Sequence, residues 1–247
     1  MVAGTKAREP LAVEADGTLG AAAWSRLYQA GGIAALITVL LIPIQFAVFI
    51  ANPFPDSVTG WFKLLQGNPM AGLIDLDLLL VVDNVLLVAI ALALYVALRP
   101  TSPTMTTIAT GLWLLSIAMF IAANPAIGML SLSDQFAAAT SEAQRSMAVA
   151  AGQALLAGWE STAFQVGYVG GQVAGIIIGL AMLGSDRFGR AIPYMLILGN
   201  LVGFGLYLPA IGPAVSAFSG LVLWAWYCLV ARRLFQLAGA SKPVAHR

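Results

Sequence analysis

The sequence predicts an all-α fold: a polytopic membrane helical bundle of six transmembrane helices, with N- and C-termini cytoplasmic and short interfacial helices on the outer side. Three observations predict it. Of the 247 residues, 60% are apolar and only 9% charged, a balance foreign to soluble domains. Uncharged apolar runs near the ~20 residues that cross a hydrocarbon core as a helix recur along the chain. The basic residues, finally, fall very unevenly between the connections.

Residues 1–20 mix Lys6, Arg8, Glu9, Glu14 and Asp16 with Gly, Pro and Ala. They have no apolar core and read as a flexible cytoplasmic tail, neither signal peptide nor packed helix. Trp24, Arg26 and Tyr28 form an aromatic and basic lead-in at headgroup depth, opening a membrane domain over 21–238. The first span covers 29–51. Pro43 is expected to kink it, and Gln45 needs a partner inside the bundle. After Asn52-Pro53-Phe54-Pro55, residues 57–66 carry Trp61, Phe62, Leu64 and Leu65 with a single Lys63. That segment is too short to span and too apolar to float free, so it is expected to lie in the interface.

Asn68-Pro69 turns the chain into a second span, 73–98, closed by Arg99-Pro100. The short connection that follows makes the third span, 104–123, its antiparallel neighbour, ended by Asn124-Pro125. The Ala-rich segment 126–160 is the longest outer stretch, and Ser141 and Gln144 within it form a capping box that starts a helix. The fourth span is 161–184. Asp186, Arg187 and Arg190 separate it from the fifth, 191–208, and the turn between Pro209 and Pro213 leads to the sixth, 214–230. Residues 239–247 form a cytoplasmic tail.

Orientation follows from the basic residues, which stay on the cytoplasmic side. Six spans with both termini inside place Lys6, Arg8, Arg26, Arg99, Arg187, Arg190, Arg232, Arg233, Lys242 and Arg247 there, against Lys63 and Arg145 outside. The expected location is the plasma membrane.

The polar site is expected at the outer ends of the second and fourth spans. Asp75, Asp77 and Asp83 enter an otherwise apolar helix, where a central Asp costs roughly 2.5–3.5 kcal/mol on insertion scales. Asp77 and Asn84 are seven apart and share a face, with Asp83 about 100° round from Asn84. On the fourth span Ser161, Gln165, Tyr168 and Gln172 make one polar stripe descending from Glu160. The candidate pocket is therefore Asp77, Asp83, Asn84, Glu160, Gln165, Tyr168 and Gln172, with Gln45 and Asn200 as further lining. Each residue also has a plainer reading. Asp75 and Asp77 suit a solvated helix start, Glu160 a helix-start residue, Asp83 a structural hydrogen bond, and the amides interhelical contacts. Their clustering carries the case. Gly167, Gly171, Gly175 and Gly179 recur every four residues and mark a seam where another backbone approaches closely, within the chain or in a second protein.

Catalytic chemistry is thin. Cys228 is the single cysteine and His246 the single histidine, the latter a tail residue. No nucleophile elbow, zinc-protease helix or phosphate-cradling loop is present, so the expectation is no catalytic residue, no metal and no cofactor. A net charge of +1 gives no reason to expect nucleic acid. The expected partners are membrane lipids, with a membrane-protein partner or a second copy of the chain.

Two stretches carry a resemblance: Trp61-Phe62-x-Leu64-Leu65-Gln66-x-Asn68-Pro69, and Leu76-Asp77-Leu78-Leu79-Leu80 through Asp83-Asn84. Further matching positions are Asn124-Pro125, Leu132-Ser133, residues 137–140 and Ala163-Phe164-Gln165-Val166. From Trp24 to Leu237 the chain resembles a family of small prokaryotic membrane proteins classed as a domain of unknown function. The resemblance implies six helices and no established activity, and it singles out residues 64–84.

Three readings follow. The first is a non-enzymatic integral membrane protein, an accessory subunit or a lipid- or hydrophobic-ligand-binding module with an acidic outer-leaflet pocket. The second is a small proton- or cation-coupled transporter or channel using Asp83, and the third a carboxylate-dependent membrane enzyme.

Overall fold

The computed structural model describes the backbone of residues 9–241 and the side chains of residues 24–241. The chain is helical from Glu9, where a tail without a packed helix is expected from the sequence. Residues 1–8 and 242–247, including His246, lie outside the described range. The described residues form ten α-helices in order: α1 Glu9–Ala51, α2 Val58–Gly67, α3 Pro69–Asp75, α4 Leu78–Leu98, α5 Pro103–Ala123, α6 Ala126–Ala138, α7 Glu142–Trp159, α8 Thr162–Leu183, α9 Ala191–Gly203 and α10 Gly212–Ala240. A 3-10 turn, Phe204–Tyr207, extends α9. No strand occurs among the described residues.

Local chemistry sets most boundaries. Ser57 caps α2 by accepting from the Gly60 N–H at 3.1 Å, and Asn68 caps α3 by accepting from the Ala71 N–H at 3.1 Å, with Pro69 at the first helical position. Asn124 Oδ1 accepts from the Ala126 N–H, which turns α5 into α6. Ser141 and Gln144 form the reciprocal capping box that starts α7.

One boundary differs from expectation. The second span is not a continuous helix over 73–98, because Asp77 takes a left-handed backbone, φ 64°, and splits it into α3 and α4. Asp is among the few residues that tolerate this region. The bond from Asn124 Nδ2 to Leu76 C=O, 2.8 Å, satisfies a carbonyl freed by the break.

Six helices form a closed ring. α1 packs on α4, α4 on α5, α5 on α8, α8 on α9, α9 on α10, and α10 back on α1, so ring order is chain order. Ile90, Leu94 and Leu98 of α4, Ile178 and Met182 of α8, and Trp226 and Leu234 of α10 fill its core. Among the described residues five stretches are long and apolar enough to cross a membrane: Trp24–Ala51, Leu78–Leu98, Pro103–Ala138, Glu142–Leu183 and Gly212–Ala240; the shorter apolar stretch Ala191–Tyr207 completes the ring. Large apolar side chains such as Leu40 and Ile50, 67% and 84% exposed, sit on the outside. In water that arrangement is unfavourable, and in lipid it costs nothing.

The two ends of the ring differ. At one end Ser25 Oγ donates to Ala238 C=O at 2.8 Å, so the start of the α1 span and the end of α10 lie together. The Arg99 guanidinium stacks 5.0 Å from the Trp24 ring, and Arg187 donates to Ala97 C=O. At the other end α2, α3, α6 and α7 form a cap around a separate apolar core of Phe62, Trp61, Leu65, Leu76, Met129 and Ala148.

The glycine seam serves two partners. A Cβ on Gly167 would come within 2.8 Å of the Phe120 backbone nitrogen on α5, whereas Cβ atoms on Gly175 and Gly179 would meet Asn200 and Ile197 of α9, each at 2.5 Å. Gly171 lies between them, its nearest neighbour the Ser116 Cβ at 3.9 Å. All of these contacts are within the chain.

Candidate functional site

Between the ring helices lies a partly open cavity of two lobes. The larger, about 510 Å³, lies between α1, α4, the 3-10 turn and α10; the smaller, about 290 Å³, lies between α4, α5, α8, α9 and α10. They share lining from Leu80, Asn84 and Leu87 of α4 and from Ser216, Gly220 and Tyr227 of α10.

Asp83 and Thr38 form the polar end of the larger lobe. Both side chains are buried, and the Thr38 hydroxyl lies beside the carboxyl without a well-formed hydrogen bond to it. Asp83 Oδ1 has no partner among the described residues. A buried acceptor left unsatisfied costs about 1–3 kcal/mol, so the site favours anything that brings a donor or a positive charge. The rest of the lobe is largely apolar, with Phe46, Phe49, Leu87, Leu206, Pro213 and Leu223 around it.

The predicted pocket residues separate into two groups. Asp83, Asn84, Tyr168 and Gln172 line the cavity. Tyr168 is fixed there by donating to Gly203 C=O at 2.7 Å, with Ser216 Oγ 3.1 Å from its hydroxyl. Gly167 and Gly171 join the wall of the smaller lobe, as does Asn200; Gly175 and Gly179 belong to packing alone. Gln45 lines the larger lobe.

Glu160, Gln165 and Asp77 line neither lobe. Glu160 is exposed at the end of α7, where the α7–α8 junction holds it above the ring. Gln165 accepts a short hydrogen bond from the Tyr207 hydroxyl. The α3–α4 break turns Asp77 away from the Asn84 face toward α1, where Gln45 Nε2 reaches Asp77 Oδ1 at 3.3 Å and Ile74 C=O at 2.9 Å. Gln45 is thus the link between the cap junction and the cavity.

Asp75 and Asp77 precede the spanning part of α4. Asp75 is 0% exposed, and neither carboxyl oxygen has a partner among the described residues. Burial pushes its carboxyl up to about 6. Burial also raises Asp77 to about 7, opposed by the neighbouring Trp159 and assisted by the charge of Asp75. Both values exceed the 3.8 of a free carboxyl, so the folded cap binds protons more tightly than the unfolded chain. The resulting stabilisation is complete below about pH 4 and is lost as pH rises through about 6–7. The cap is therefore expected to unfold more readily at pH 8 than at pH 5, and Asp77→Asn, which removes the larger of the two shifts, to flatten most of that difference. Hydrogen exchange of α2 and α3 at the two pH values measures it, and a cap more protected at pH 8 contradicts it.

Thr38, Ser216, Trp226 and Tyr227 belong to the site and were not singled out from the sequence. A Ser or Thr in an apolar helix and an aromatic near a helix end are too common to mark a cavity. The one available signal was their register, with Ser216, Gly220, Leu223 and Tyr227 on a single face of α10. Among the described residues no three His, Cys, Asp or Glu side chains gather as a metal-binding set.

Comparison with known proteins gives no match, whether to a family model, a curated protein or a solved structure. Fold and site together define the class: an all-α bundle whose apolar helices surround a partly polar, two-lobed cavity.

Proposed function

We propose that the protein is a non-enzymatic membrane module that binds a hydrophobic ligand in the two-lobed cavity. The observation that carries this reading is the larger lobe, about 510 Å³, walled mostly by apolar and aromatic side chains and polar at the Asp83 end. Ligand sites have this character: mainly apolar walls with a few placed polar groups.

The same reading takes all six ring helices as spans, with both termini in the cytoplasm of a prokaryotic cell and the cap outside its plasma membrane. The meeting of α1 and α10 at one end supports an even number of crossings, and the gathering there of Arg99, Arg187 and Arg233 supports a cytoplasmic assignment. Reagent-accessible cysteines at Ser57 and Ser185 are expected to label from opposite sides of the membrane, and labelling from one side contradicts the topology. The resemblance to the family of unknown function agrees with six helices and supplies no activity. A membrane-protein partner or a second copy of the chain is compatible with this role.

The cavity is tested by filling it. A Cβ on Gly220 would meet only the Phe46 ring, at 3.6 Å, so Gly220→Leu grows into the space where the two lobes join. An alkyl probe carrying a diazirine, incorporated in the membrane and photolysed, is expected to label the peptides containing Phe46 and Leu223 in the wild type. In a folded Gly220→Leu variant that labelling should drop at least ~10-fold, the equivalent of ~1.4 kcal/mol in occupancy. Equal labelling of both proteins overturns the reading.

A second reading, a small proton- or cation-coupled transporter, is favoured by one observation, the unpartnered Asp83 Oδ1. Cation-dependent flux in proteoliposomes that Asp83→Asn abolishes would select it.

A further inference from the structure

The polar groups around the smaller lobe share a bias. Asn84 Nδ2 donates to Leu80 C=O at 2.8 Å and Asn200 Nδ2 to Leu196 C=O at 2.7 Å. Ser116 Oγ donates to Leu112 C=O and Ser219 Oγ to Gly199 C=O, both at 2.8 Å, and the Tyr168 hydroxyl donates to Gly203 C=O. A carbonyl can only accept, so these partners fix which amide atom is nitrogen and where each hydroxyl hydrogen lies. Each of these hydroxyl hydrogens and one of the two hydrogens on each asparagine amide are thus engaged by backbone, and the oxygens remain to accept. Gln172 Oε1, buried on the same lobe, has no donor among the described residues.

Charge and aromatic content agree with that bias. Among the described residues lining the two lobes, Asp83 is the only acidic or basic side chain. An anionic head would find no Lys, Arg or His there. Trp113, Phe120 and Trp226 line the smaller lobe and Tyr227 lines both, and aromatic faces attract cations. Among the described residues Trp226 Nε1 is the one buried side-chain nitrogen without a partner, a donor that suits a water or a single oxygen on a ligand.

Resting on the reading of the cavity as a ligand site, we infer that its ligand is an amphiphilic organic cation. An ammonium head is held where the two lobes join, by the Asn84 and Ser216 oxygens and the Tyr227 ring that line both, with Asp83 of the larger lobe as counter-charge, and the apolar body occupies the rest of the larger lobe. The oxygens supply acceptors, the rings supply π faces, and no basic side chain opposes the charge.

The test uses the full-length protein in nanodiscs of zwitterionic lipid, with empty nanodiscs subtracted, and three probes of one chain length: hexylammonium, hexanol and hexanoate. Isothermal titration at pH 7 is expected to show saturable hexylammonium binding at least ~10-fold tighter than hexanol, with hexanoate weakest. Asp83→Asn should reduce the hexylammonium affinity ~10-fold and leave hexanol within about twofold. The comparison among probes stands on the wild-type protein alone, so it holds even where that variant does not fold. Equal binding of hexylammonium and hexanol, or tighter binding of hexanoate, overturns the cationic assignment while leaving the cavity a hydrophobic site. Absence of saturable binding by all three overturns the ligand-site reading as well.

Discussion

Gly167→Leu is expected to destabilise the protein by about 3 kcal/mol, the upper part of the range for overpacking a well-packed core. At this position α8 and α5 touch backbone to backbone: an added Cβ lies 2.8 Å from the Phe120 nitrogen, 3.0 Å from its Cα and 3.0 Å from the Ser116 carbonyl oxygen. None of these is the end of a flexible side chain, so only movement of a whole helix relieves the clash. Such movement would also open the wall of the smaller lobe, to which Gly167 belongs. Gly171→Ala is the matched control, since its Cβ meets the Ser116 Cβ at an ordinary 3.9 Å, and it should stay within about 0.5 kcal/mol of the wild type. Denaturant unfolding in detergent micelles reads both. Equal losses would mean that the α5 contact does not discriminate between the two positions.

Phe62→Ala is expected to cost about 3–5 kcal/mol, as large-to-small changes of buried Phe do, and to act on the cap rather than the ring. The Phe62 side chain is 0% exposed and its ring centroid lies 5.3 Å from that of Phe136. Its carbonyl accepts from Ser133 Oγ at 3.1 Å, which ties α2 to α6. The cap core and the ring core are separate clusters, so loss of this ring should loosen α2, α6 and α7 while α4 and α10 keep their packing. Hydrogen exchange resolves the two regions: faster exchange in α2, α6 and α7 alone is the expected pattern. Uniform loss of protection would show that cap and ring unfold as one unit.

Length, hydropathy and Asn-Pro punctuation made the helices legible in the sequence. The caps at Ser57, Asn68 and Ser141 lie where their side-chain chemistry predicts. The glycine seam was legible as a packing device but not in its partners. Each step of four residues turns a helix by about 400°, so the seam drifts about 40° per step and passes from α5 at Gly167 to α9 at Gly175. The expected pocket residues part company at helix junctions. Periodicity put Asp77 with Asn84, but one left-handed residue redirects it, and Glu160 sits beyond the junction at which its stripe ends. Ser216 and Tyr227 shared a face of α10, but the cavity that they and Thr38 line forms between helices whose juxtaposition no single helix encodes.

The central claim, that the cavity holds a hydrophobic ligand, is tested most directly by native mass spectrometry of the protein extracted gently from its own membrane. The account predicts a stoichiometric small-molecule or lipid adduct on the wild type that is missing from folded Gly220→Leu, whose side chain fills the space where the lobes join. A wild-type chain that carries no such adduct, or the same adduct retained by both proteins, would contradict it.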